Sequence, residues 1–304
     1  MEKIYLIIDE SGAKGYSDNQ EQELGELGLI LGYLIPKSHI QKVKEELNDI
    51  RNKYISQSKL HITDLTSEEQ NNLRNDIFDY FQNRQIYFIY EAIHVQGFFN
   101  YQQSLLNLIK QSKKNSNPNI SFSNHEKKEL LHKQLFQGLV GKAIGMCTDR
   151  IGNTFHLDII SDNIDKSIQK EFIKAIDELV NIGKKSTKYT KAYDRVNKKC
   201  VNGSITFEID NSNNILEDYS NIKYSISCED TGLTLASDVL ANSLYYYFNH
   251  RDNNEIGKHL NTKKAVDNFP LKDLIYGLWE DDDINYYADA IYMHPEEEKN
   301  LKNI

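Results

Sequence analysis

Lys3-Ile4-Tyr5-Leu6-Ile7-Ile8-Asp9-Glu10-Ser11-Gly12 is the stretch that decides the architecture. The run from Ile4 to Ile8 is wholly apolar, as expected of an interior strand with a layer packed on each face. Two acids then end it. If that strand is central, they stand at its carboxyl end, the edge where open α/β sheets place their ligands. Asp, Ser and Gly are also favoured turn residues, so a turn accounts equally well for the same four letters.

Working outward, Leu27 to Ile35 is a second strand of the same kind, separated from the first by a polar stretch from Gly12 to Gly25 that is long for a hairpin and expected to be mobile. Pro36 starts a helix with Ile40, Val43, Leu47, Ile50 and Tyr54 at helical spacing. Thr66-Ser67-Glu68-Glu69 has the form of a capping box, and a helix to about Asn83 follows. Gln85 to Ile93 is the next strand, helices dominate to about Arg150, and Asn115-Ser116-Asn117-Pro118-Asn119 is a loop. Thr154 to Ile160 is a strand, and Ile168, Phe172, Ile173, Ile176, Leu179 and Val180 mark an amphipathic helix. Short strands are expected at Ser204 to Ile209 and Ile222 to Ser227, then a core helix from Gly232 to Phe248. Strands interleaved with helices give an α/β fold with a mixed sheet flanked by helices. One elaborated domain over 1–251 is expected, carrying an acidic helical extension over 252–304.

The chain has 304 residues, 36 Lys and Arg against 45 Asp and Glu, and a net charge of −9. With 39% hydrophobic residues it can bury a core without disulfide staples. Cys147, Cys200 and Cys228 are widely spaced and odd in number, which fits neither a disulfide framework nor a Cys-x-x-Cys clip. The first apolar run is too short for a signal peptide, and no run approaches the roughly 18 residues of a membrane span, so a cytoplasmic protein with no membrane partner is expected. No Gly-x-Gly-x-x-Gly follows the first strand and no Walker-type Gly-Lys-Ser or Gly-Lys-Thr occurs, which gives nucleotide cofactors no support. Net acidity argues against a coat for nucleic acid, but not against a nuclease that gathers carboxylates at its metals.

Three acids carry the chemistry. Asp9 is the first. In Phe155-His156-Leu157-Asp158-Ile159-Ile160-Ser161-Asp162, alternation puts His156, Asp158, Ile160 and Asp162 on one face, with Asp162 at the strand end; it could equally cap the next helix. Asp238 is the only charged residue between Asp230 and His250, in a helix apolar nearly all round. A lone buried carboxylate must be paired, protonated or metal-bound. A distant Lys or Arg, or a network with Ser237 and Asn242, is the structural alternative. Carboxylates from two strand ends and one helix suit Mg²⁺ or Mn²⁺, and two such ions roughly 3.5 to 4 Å apart serve in-line phosphodiester hydrolysis.

The Asp9-Glu10-Ser11-Gly12 start, the Leu60-His61-Ile62-Thr63-Asp64 segment, the strand ending at Asp162 and the Leu235-Ala236-Ser237-Asp238-Val239-Leu240-Ala241 helix together resemble the DUF3800 family, over about residues 3 to 250. The resemblance implies an RNase H-like fold, a Mg²⁺- or Mn²⁺-dependent nuclease and, for some members, a setting in bacterial anti-phage defence. It also implies that Asp9 bridges the metals, that Asp162 is the acid of the later strand, and that Asp238 completes the second metal's shell. Glu10 would belong to the catalytic set although a continuing strand turns it to the other face, and His61 with Asp64 would position water or a phosphate. The family's usual fourth acid has three candidates here, Glu10, Glu91 and Asp158.

Lys184, Lys185, Lys188, Lys191 and Arg195, interleaved with Tyr189 and Tyr193, form a candidate nucleic-acid path, and a solvated helix end explains the same run. Tyr245-Tyr246-Tyr247-Phe248 and Trp279 are read as core or dimer packing. The expected partners are an RNA or DNA substrate and either an activating protein or a second copy of the chain. Two rivals keep the same residues: an inactive binding or regulatory subunit, and a small-molecule phosphohydrolase.

Overall fold

The opening strand outruns its apolar core because it is paired on both sides. A computed structural model describes residues 1–54, 60–114, 120–122, 128–181, 186–207, 219–252, 255–279 and 286–302. In chain order, β1 (Glu2–Gly12), β2 (Leu27–Pro36), α1 (Lys37–Asn52), α2 (Ser67–Arg84), β3 (Phe88–His94) and α3 (Val95–Lys114) come first. There follow β4 (Ile120–Phe122), α4 (Leu131–Ile151), β5 (Phe155–Ser161), α5 (Lys166–Val180), β6 (Ser186–Asp194) and β7 (Lys199–Phe207). Last are β8 (Lys223–Cys228), α6 (Gly232–Asn249), α7 (Tyr287–Ile291) and α8 (Pro295–Lys302).

Five strands form one mixed sheet in the order β3-β2-β1-β5-β8. β1 is antiparallel to β2 and β2 to β3, whereas β5 runs parallel to β1 and β8 parallel to β5. β1 is therefore the central strand, and its acids lie within it, since pairing with β2 continues as far as Gly12↔Gly28. Gly12 ends the strand at φ +80, where an added Cβ would meet the Tyr245 ring at 2.4 Å.

Alternation along β1 feeds two cores. Ile7 faces α1, α2 and α6 with Leu47, Leu73, Val239 and Leu240, while Ile4, Leu6 and Ile8 face α4 and α5 with Phe136, Leu139 and Phe172. Each such fully buried side chain contributes about 1.5–3 kcal/mol. The expected capping box forms at α2, with the Thr66 N–H donating to Glu69 Oε2 at 3.0 Å. α6 crosses α1 so closely that a Cβ on Gly232 would fall 2.4 Å from the Leu47 carbonyl oxygen, and the Gly232 N–H donates to Asn48 Oδ1 at 2.6 Å.

Several expectations change. The Gly12–Gly25 stretch, expected to be mobile, is strapped down: the Leu131 N–H donates to the Gly15 carbonyl at 3.0 Å, the Ser17 N–H to the Glu129 carbonyl at 2.9 Å, and His294 Nε2 lies 3.1 Å from Glu21 Oε2. The region around 186–207, read as a helix end and a short late strand, is a β6–β7 hairpin joined to β4 in a second, three-stranded sheet. β6 alternates polar with polar, so it carries no helical or amphipathic period to announce it. The extension beyond 251 is less helical than expected, consisting of 3-10 turns and the short α7 and α8. It is stitched along the outer edge of β3. The Tyr276 N–H donates to the Phe88 carbonyl at 2.8 Å, Lys142 Nζ to the Tyr90 carbonyl at 2.6 Å, and the Asn261 side-chain amide bonds both the N–H and the carbonyl of Ala92. Asp289 in turn accepts from the Leu260 and Asn261 N–H groups. Among the described residues, no helix is long and apolar enough to cross a membrane.

Candidate active site

Asp9 projects from the carboxyl-terminal third of β1 toward α6, on the same face as Ile7. β5 lies alongside with Ile7 opposite Ile160, and the same offset carried two residues further sets Asp162 level with Asp9. Asp238 comes to them from α6, close enough for its charge to bear on Asp9. Three segments far apart in the chain thus bring their acids to one corner. The short 3-10 turn Ile62–Asp64 closes it: the Ile62 N–H donates to Asp238 Oδ2 at 2.9 Å. The His61 imidazole stands between the other two, with Nδ1 3.7 Å from Asp238 Oδ2 and Nε2 3.9 Å from Asp162 Oδ2. Asp64 accepts from the His61 N–H at 3.1 Å, so it holds the turn that presents His61.

The local alternatives resolve on geometry. Asp162 does not cap α5, whose N-cap residue is Asp165. Asp238 is ion-paired with no Lys or Arg among the described residues, and Ser237 Oγ is turned away onto the Thr234 carbonyl at 2.9 Å. His61 is 42% exposed against 18% for the Asp238 side chain, so the imidazole forms the mouth of the corner and the carboxylates its floor.

Electrostatics mark the corner as deficient in positive charge. Burial pushes the Asp9 carboxyl well above the usual range, and the negative charges of Asp238, Glu10 and Asp162 push it further. Burial also raises Asp238, against the opposing pull of the Ile62 N–H and His61.

None of the three fourth-acid candidates joins the trio. Glu10 faces α4, with Lys14 Nζ at 2.8 Å and His132 Nε2 at 3.7 Å. Glu91 is buried on that same face, ion-paired with Lys142 at 3.0 Å and hydrogen-bonded by Tyr286. Asp158 shares the face of Asp162 but lies four residues back, about 13 Å along the strand, held by Lys3, by His156 at 2.9 Å and by Ser225 at 2.5 Å. Of the basic path, Lys184 and Lys185 lie outside the described residues, and Lys188, Lys191 and Arg195 belong to the β6–β7 hairpin, which packs substantially only on itself and β4. Sequence reasoning missed Lys142, although a lysine inside Leu139-Val140-Gly141-Lys142-Ala143-Ile144 is the same kind of signal that singled out Asp238.

Oxygen donors of Asp9, Asp162 and Asp238 are the set a hard divalent cation takes, and the raised carboxyl groups of Asp9 and Asp238 mark the charge such an ion would neutralise. Among the described residues, no three His, Cys, Asp or Glu side chains stand at ligating distance of one point; the imidazole of His61 separates Asp162 from Asp238. Compared with known proteins, the chain matches no family model and no curated protein. The likeness to the DUF3800 family therefore rests on the four short motifs alone.

Proposed function

We propose that the chain is an RNase H-like, Mg²⁺- or Mn²⁺-dependent nuclease that hydrolyses phosphodiester bonds of RNA or DNA. One observation carries it: Asp9, Asp162 and Asp238 meet at the carboxyl end of the central strands, where burial and one another's negative charge raise the carboxyl groups of Asp9 and Asp238. The mixed sheet, an antiparallel meander followed by two parallel strands, supports the fold half of the proposal.

Asp9, Asp162 and Asp238 would hold the ion, which would supply Lewis-acid stabilisation of phosphate charge and a water acidified toward neutrality. The Ile62 N–H fixes one oxygen of Asp238, leaving the other for the ion. His61, exposed at the mouth and anchored through Asp64, is placed to contact the substrate's phosphate or the water. Purified chain, assayed with Mn²⁺ on labelled RNA, labelled DNA and a generic aryl phosphate, is expected to cleave a nucleic acid. Asp9→Asn, Asp162→Asn and Asp238→Asn are each expected to abolish that cleavage. Activity on the aryl phosphate alone would favour a small-molecule phosphohydrolase, and Mn²⁺ uptake without any cleavage would favour a binding subunit.

A further inference from the structure

Beyond the aspartate corner, a cavity of about 680 Å³ opens beside the C-terminal half of α6, between α2 and the extension. Arg74 of α2 and Arg251 just past α6 both line it, and their hydrogen-bond partners among the described residues are neutral. Arg74 Nε donates to Ser243 Oγ at 2.8 Å and Nη1 to Asn71 Oδ1 at 3.0 Å. Arg251 has one long bond, from Nε to the Phe248 carbonyl at 3.4 Å, and lies 4.9 Å over the Phe248 ring, while its Nη1 is buried with no hydrogen-bond partner among the described residues. A buried guanidinium left in that state is costly, and a bound anion is the group that relieves it. Three acids also line the cavity: Asp252, Glu255, which Lys258 holds at 2.6 Å, and Asp267, which faces Lys272 at 4.0 Å; the charges of Glu255 and Asp289 also bear on Arg251.

Aromatic surface adjoins the cations. Tyr245, Tyr247 and Phe248 pack in or against the core as expected for their run, but Tyr246 is 58% exposed and stacks on His250 with ring centroids 3.8 Å apart. An exposed stacked ring beside guanidinium groups hydrogen-bonded only to neutral partners is a combination that suits a base and its phosphate. Position matters too. Ser243, which anchors Arg74, follows Asp238 on α6 by about 7 Å of helix, and Arg251 by about 20 Å.

We propose that this cavity receives a phosphate of a single-stranded nucleic acid between Arg74 and Arg251, with a neighbouring base laid on Tyr246, so that the strand runs along α6 to Asp238. The strand's destination rests on the hydrolytic proposal above; its binding does not. The test is fluorescence anisotropy of short labelled single-stranded RNA and DNA on full-length Asp9→Asn protein in EDTA, across a salt series. In that background, Arg74→Gln and Arg251→Gln are each expected to weaken binding about tenfold and to reduce the salt slope by about one. Tyr246→Ala is expected to weaken it about tenfold with the slope unchanged. Tyr246 is exposed, so that variant keeps the test sound if Arg251→Gln fails to fold.

Unchanged affinity in all three variants, or no binding by the Asp9→Asn parent, overturns the proposal. So does a loss confined to Lys191→Gln and Arg195→Gln, which would put the strand on the β6–β7 hairpin. Weakened binding by the cavity variants with no cleavage by the wild-type chain upholds the cavity and removes only the hydrolytic role.

Discussion

On the α6 side of the sheet Asp9 lies among Asp238 and Asp162, whereas one residue along, on the α4 side, Glu10 lies beside Lys14 and His132. Burial pushes both carboxyl groups up. For Asp9 the neighbours add to burial and hold it well above the usual range; for Glu10 the two basic side chains overcome burial and bring it down to about 2. Glu91, also on the α4 side, has Lys142 against it. Burial is thus common to both carboxyl groups, and the sign of the neighbouring charge is what separates them: Glu10 has basic side chains against it, whereas Asp9 has other acids.

The largest effect expected from breaking this contrast is on cleavage. Asp9→Asn, Asp162→Asn or Asp238→Asn should each lower the cleavage rate by about a thousandfold, equivalent to about 4 kcal/mol of barrier, measured on labelled RNA and DNA with Mn²⁺. Next comes the α4 side, where Lys142→Met leaves Glu91 buried against Tyr286 without its cation. Urea unfolding should show a loss of about 3–5 kcal/mol. Mn²⁺ at about a hundred times its dissociation constant should stabilise the wild-type chain by about 2.7 kcal/mol, read as a rise in Tm. The three Asp→Asn variants should lose that rise, and an equal rise in all of them would place the ion elsewhere.

The smallest effect compares the neighbours directly in metal-free protein. Asp9→Asn should raise Tm slightly because it removes like-charge repulsion, while Glu10→Gln should lower it. The sign for Glu10 follows from its depressed folded value: its stabilisation is complete above the ordinary 4.5 and is lost as pH falls toward 2. The gap in stability between Glu10→Gln and the wild-type chain should therefore narrow over that interval.

Much of this was legible before any coordinates. Ile4–Ile8 and Leu27–Ile35 are so apolar that only a covered sheet can hold them, and Asp238 stood out against its helix. The opposite facing of Asp9 and Glu10 follows from the two-residue period of a strand. Of the β4–β6–β7 sheet only the end of β7 was legible, within the strand read at Ser204 to Ile209, because β6 alternates Lys, Thr and Tyr without an apolar face. The cavity of Arg74 and Arg251 was illegible for another reason: the two arginines lie 177 positions apart (251 − 74), in segments that only folding brings together.

The edge of β3 has a further consequence. Phe88, Tyr90 and Ala92 would otherwise offer an open row of backbone donors and acceptors, the template on which foreign strands add and aggregates grow. Tyr276, Lys142 and the Asn261 amide occupy that row, Asn261 by imitating a peptide unit. Together with Lys142 of α4, the extension thereby acts as a selvedge to the sheet, and a chain cut short before Asn261 should be lost to precipitation sooner than to unfolding.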